Sequence, residues 1–187
     1  MEKLHADVRE KRKLLRHFLA ALAYRTQKAV YGAPRSFHEF NAGNQTRTPH
    51  ELICHMTNVL GYARTFLIGG TFPSRHPSSW DDDLKSFHDM LEHLGKRLDS
   101  EDPLNGATEE RMLQGPFSDA MTHAGQLAML RRLEGSPVPP ENFIKADVRS
   151  ENLTQYQANP VSPDKEWPER PDDPGLRTVP AKSRGSA

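Results

Sequence analysis

Apolar residues recur at helical spacing in four separate stretches of the chain, and none shows the strict alternation of a strand. From Glu2 to about Tyr31 the apolar set is Leu4, Val8, Leu14, Leu15, Phe18, Leu19, Leu22 and Ala29, with charges filling the gaps. This predicts one long amphipathic helix. Gly32 and Pro34 end it, and residues 32 to 47, rich in Gly, Pro and Asn, read as a loop.

The second helix starts at Thr48-Pro49-His50-Glu51. Thr48 can cap the first turn, Pro49 suits the first helical position, and Glu51 can reach back to complete a capping box. Leu52, Ile53, Met56, Val59, Leu60, Ala63 and Phe66 then form one face, before Gly69-Gly70. For the third helix, Ser79 precedes Trp80-Asp81-Asp82-Asp83, whose carboxylates complement the positive end of a helix dipole, and Leu84, Phe87, Leu91, Leu94 and Leu98 form the stripe. Thr108-Glu109-Glu110-Arg111 can open a short turn, and Gly115-Pro116 breaks any continuous helix. A fourth helix is expected from Pro116, with Ala120, Ala124, Leu127, Leu130 and Leu133 as its apolar positions and Gly135 and Pro137 closing it. The expected class is all-α, a four-helix bundle over residues 1–136 followed by a Pro-rich extension over 137–187.

Composition changes character at that boundary, because nine of the fifteen prolines lie from Pro137 onward and apolar residues thin out. Phe143, Ile144 and Val148 are candidates to pin the start of this extension against the bundle or a partner, with Trp167 a weaker one, and the last dozen residues are expected to be mobile. Lys+Arg and Asp+Glu both total 25, so no bulk field draws the chain to nucleic acid or anionic lipid. The longest wholly apolar run, Phe18 to Tyr24, is far short of the roughly 20 residues that span a bilayer. The N-terminal residues lack a signal-peptide layout, and Cys54 has no partner for an internal disulfide. A cytoplasmic protein is expected, with no nucleic-acid or membrane partner.

A bundle interior is a common place to assemble a metal site from facing helices. Asp119 and His123 are four positions apart, about 40° around a helix and one turn along it, so both can reach one ion. His55 sits within the apolar stripe of the second helix and can supply a third ligand if that helix faces the fourth. Two histidines and one carboxylate would leave coordination positions open for water or substrate. An i,i+4 Asp/His pair is also common on solvated helix faces, and a lone histidine in a stripe can be a hydrogen-bonded core residue. Spacing therefore leaves both a metal site and an ordinary ion pair open.

Other polar residues fit the pattern less well. His88 and His93 lie about 140° apart around a helix and are expected on the surface. His50 is expected either to flank the site or to face solvent. Cys54 reads as an inert buried thiol, Gln126 as a partner to His123 or a cross-bundle bond, and Arg131 and Arg132 as a solvated last turn. No further inward acid or histidine offers itself as a general base.

Two segments resemble the motifs of a known family. Asp119-Ala-Met-Thr-His123-Ala-Gly-Gln126-Leu, followed by Leu130-Arg131-Arg132, resembles the fourth-helix signature of the DinB/YfiT-like superfamily, and Pro49-His-Glu51-Leu-Ile-Cys-His55-Met resembles its second-helix motif. The resemblance covers roughly residues 3 to 150. It implies a four-helix bundle with a divalent metal held at positions His55, Asp119 and His123, a homodimer, and a metal-dependent thiol S-transferase or a hydrolase acting on a small molecule, the thiol being of low molecular weight. Asp119 departs from the pattern, which has histidine there. An oxygen ligand leaves zinc, nickel, iron and manganese all possible. The alternative is a non-catalytic, stress-related bundle with a structural or vestigial metal site.

Overall fold

The structure, a computed structural model, describes residues 2–159, with side chains from residue 6 onward. Four long helices build it: α1 (Glu2–Val30), α2 (Pro49–Ile68), α3 (Trp80–Leu98) and, after a short α4 (Glu109–Met112), α5 (Ser118–Glu134). No strand occurs among the described residues, and no helix among them is long and apolar enough to cross a membrane. Trp167 and the end of the Pro-rich extension lie outside the described residues.

The starts of these helices follow from local chemistry. Thr48 and Glu51 form the capping box, with Glu51 N–H donating to Thr48 Oγ1 and Thr48 N–H donating to the Glu51 carboxylate. Ser79 caps α3 by accepting from Asp82 N–H, and Thr108 caps α4 by accepting from Arg111 N–H. Between α4 and α5 the chain passes through a π-type turn, Leu113–Phe117, in which Gly115 (φ −92°, ψ −107°) leaves helical geometry just before Pro116. The expected break is there, and α5 begins two residues after Pro116.

α2 packs against α3 and α5, and α1 packs against the same two helices, so the four surround one core. Leu19, Leu22, Ile53, Met56, Leu60, Phe87, Leu91, Leu94 and Leu127 are fully buried in it. Removing water from such side chains supplies the main favourable contribution to folding.

Two glycines let other segments close onto helices. A Cβ on Gly61 would lie 2.2 Å from ring atoms of Phe72, so glycine here lets the α2–α3 connection lie flat on α2. At Gly95 a Cβ would lie 2.3 Å from Leu153 Cδ1. That second contact belongs to a strap, residues 147–159, which forms one compact unit with the helices. Leu153 is buried, Val148 packs on the core, and Arg16 donates to the Ser150 carbonyl. Leu153 is an anchor that the sparse apolar pattern did not single out. Residues Pro139–Ala146 belong to a separate unit, in which Asn142 caps a 3-10 turn containing Phe143 and Ile144.

His88 is buried, which corrects the surface placement expected from its spacing; His93 is half-buried and accepts from Arg64 Nε. His88 Nδ1–H donates to the Leu153 carbonyl at 2.9 Å, while Nε2 is buried without a partner. Burial pulls its pKa below the usual histidine range, only partly opposed by the Leu153 bond. Above pH about 6.5 the ring is neutral folded or unfolded; as pH falls below that, the unfolded chain takes up a proton that the folded one refuses, so stability falls towards the depressed folded pKa. His88→Gln is expected to flatten the decline in denaturant-measured stability between pH 7 and 5, by at most about 1.4 kcal/mol per pH unit. A variant whose pH profile runs parallel to that of the wild type would show that His88 titrates normally.

Candidate metal centre

Three side chains of the pattern meet where α2 faces α5. His55 comes from the middle of α2, and Asp119 and His123 come from successive turns of α5. Each offers one ligand atom, and the three atoms lie within 4.8 Å of one another. The His55 and His123 rings sit edge to face with centroids 4.7 Å apart. The Asp119 carboxylate bridges them, with Oδ1 3.4 Å from His123 Nε2 and Oδ2 4.0 Å from His55 Nε2. These separations are too long for strong hydrogen bonds, so the donors converge without satisfying one another.

The orientation of His123 is fixed from behind. Its Nδ1–H donates to Gln126 Oε1 at 2.8 Å, three residues along the same helix. That bond places the proton on Nδ1 and leaves the Nε2 lone pair directed at Asp119. A carbonyl-type acceptor on the far nitrogen is the usual support for a metal-ligating histidine. Gln126 is thus a partner of His123 and makes no cross-bundle bond among the described residues.

Electrostatics keep His55 in the form that can ligate. Burial lowers its pKa first, the charge of Arg47 and the neighbouring His123 lower it further, and Asp119 opposes them. The ring is neutral at pH 7. His123 is buried, His55 is half-buried, and Asp119 is exposed on the solvent side. The donor set, two imidazole nitrogens and one carboxylate, suits a divalent transition ion, with open coordination on the exposed side.

That side faces a cavity of about 780 Å³ whose wall includes Asn58, Tyr62, Ser74, Gln114 and Thr122 as well as His55 and Asp119. The wall is held in place by the α2–α3 connection. Asn58 Nδ2 donates to the Arg75 carbonyl at 2.9 Å, and Arg75 N–H returns a bond to Asn58 Oδ1 at 2.8 Å. Cys54 is buried and donates to the same carbonyl, and burial pushes its thiol pKa up. A raised pKa disfavours the thiolate, the reactive form of a cysteine.

The remaining sequence candidates have structural roles. His50 turns away from the triad: its Nε2 lies 2.8 Å from Asp83, and its ring packs edge-on against Trp80. Burial alone would raise the pKa of Asp83, but bonds from the Ser78 N–H and hydroxyl and from His50 bring it below the usual range. Arg131 is buried, contrary to the expected solvated turn. Its Nε donates to Ser136, its Nη1 donates to the carbonyls of Ala29 and Tyr31, and its guanidinium lies 5.5 Å from the Phe37 ring. It thereby satisfies carbonyls at the ends of α1 and α5.

Gln126→Ala is expected to weaken zinc or nickel binding about 10–100-fold in a chelator competition, with the helical circular dichroism unchanged. Gln126→Glu, which keeps an acceptor for Nδ1–H, should recover most of that loss. Equal affinity in wild type and Gln126→Ala would mean that the bond to His123 plays no part in metal binding. Comparison with models of known protein families, with curated proteins and with solved structures finds no match for this chain.

Proposed function

We propose that His55, Asp119 and His123 hold a divalent metal ion and that the chain is a DinB-like, metal-dependent enzyme, a thiol S-transferase or a hydrolase acting on a small molecule. The observation that carries this reading is the convergence of three ligand atoms, one supported from behind by Gln126, at the wall of an open cavity. An ordinary ion pair needs neither the second imidazole nor the cavity. The motif resemblance around His55 and His123 supports the same reading.

A bound divalent ion supplies Lewis acidity, which lowers the pKa of a water or thiol at an open position. The chain's own residues do the rest. His123, locked by Gln126, and His55, kept neutral by burial, present nitrogen lone pairs, and Asp119 supplies negative charge on the solvent side. Asn58, Ser74, Gln114 and Thr122 offer hydrogen bonds that can orient a polar substrate beside the triad. Among the described residues, the cavity wall has no imidazole or carboxylate apart from His55 and Asp119. Proton transfer therefore falls to the substrate, to solvent or to Asp119 itself.

That same scarcity of bases favours a second reading, a structural metal in a non-catalytic protein. Cobalt-loaded protein separates the two. Titration with cysteine or another small thiol is expected to produce a thiolate-to-metal absorption band, and metal-loaded protein is expected to accelerate thiol addition to an electrophile such as 1-chloro-2,4-dinitrobenzene, or hydrolysis of an activated ester. His123→Ala should remove both signals. A cobalt spectrum insensitive to thiols, with no turnover of either substrate type, would favour the structural metal.

A further inference from the structure

A second cavity, of about 720 Å³, flanks the triad, and Thr122 lines both. Leu52 and Leu130 form its floor, and Met129 and Leu133, one turn apart on α5, stand 59% exposed at its edge. Gln126, the residue that holds His123, lines it as well, so the groove runs directly to the back of the metal centre.

Among the described residues, the one charged side chain in its wall is Arg47. Arg47 is exposed, it makes no hydrogen bond or ion pair among the described residues, and its charge reaches His55. Among the described residues, no carboxylate lines the groove to neutralise it. A trough that is apolar along Leu52, Met129, Leu130 and Leu133, and carries Gln45, Thr46 and one unpaired guanidinium on its loop side, matches a small molecule that has an apolar body and one anionic end. The volume falls within the range of small-molecule sites, and a guanidinium is well suited to a carboxylate.

We infer that this groove binds an amphiphilic carboxylate, with its apolar body along Met129, Leu130 and Leu133 and its carboxylate on Arg47, and that this is the substrate class of the neighbouring centre. The second half of that statement rests on the metal-dependent function proposed above; the binding itself does not. The cavity on the other side of Thr122, with Asn58, Ser74 and Gln114 in its wall, then remains for the second reactant, as a transfer between two bound molecules requires.

Calorimetric titration of the full chain with decanoate, below its micellar concentration, tests this in both metal-loaded and metal-stripped protein. Decanoate is expected to bind both forms, at least about tenfold tighter than decyltrimethylammonium, and Arg47→Gln should reduce its affinity by about the same factor in the metal-stripped protein as in the metal-loaded one. Leu133→Glu should weaken it further. Equal affinity for the anionic and cationic chains, or decanoate binding indifferent to Arg47→Gln, would overturn the inference. So would sedimentation showing a dimer that Met129→Glu converts to monomer, because the groove would then be covered by a second copy. Decanoate binding that depends on Arg47 in a protein that takes up no metal would uphold the groove while removing the metal centre, so the two failures are distinguishable.

Discussion

Contact between α2 and α5 is the constraint on which the site depends. Neither helix carries the full set of three ligands on its own. His55 is a single imidazole inside an apolar stripe, and Asp119 and His123 are an ordinary i,i+4 pair. They become one site because Ile53, Met56 and Leu60 on α2 and Ala120, Ala124 and Leu127 on α5 are buried in the same core. The small residues on either side of His123 let a neighbouring helix approach closely. Burial of the stripes thus holds three polar groups together that would gain little from meeting on their own.

Two local features set how the groups meet. The break at Gly115 starts α5 afresh, so Asp119 lies in its first turn, where the helix dipole favours a carboxylate, and also at the cavity wall. The Gln126 bond then fixes which nitrogen of His123 faces inward. Beyond the triad, buried arginines keep the helix ends and connections in register. Arg131 satisfies carbonyls where α1 and α5 end, and Arg12 donates to Glu109 and to carbonyls of Ser100 and Asp102 in the connection before α4. Each such cation is buried among acceptors, as an interior charge requires.

What was legible in the sequence is what local rules govern. The capping box at Thr48, the Ser79 cap, the Gly115-Pro116 break and the stripes of α2 and α3 are properties of neighbouring residues, and the structure has all of them. Spacing put Asp119 and His123 on one side of a helix and left the approach of His55 conditional on the second helix facing the fourth, so the set of three came from the motif resemblance. What was not legible depends on partners far along the chain. His88 is buried because a strap some 65 positions later covers it, and Arg131 because carbonyls about 100 positions earlier accept its protons. Periodicity carries no information about such pairings. The groove beside Arg47 was hidden for the same reason, since its wall joins a loop before α2 to the far half of α5.

The most direct measurement is metal content by plasma mass spectrometry on protein purified without a metal-affinity tag, for the wild type, His55→Ala and His123→Ala. Near-stoichiometric metal in the wild type and its loss in both variants is the expected result. No metal in the wild type, even after incubation with zinc, nickel, iron and manganese, would contradict it and leave His55, Asp119 and His123 as an unligated polar cluster between two helices.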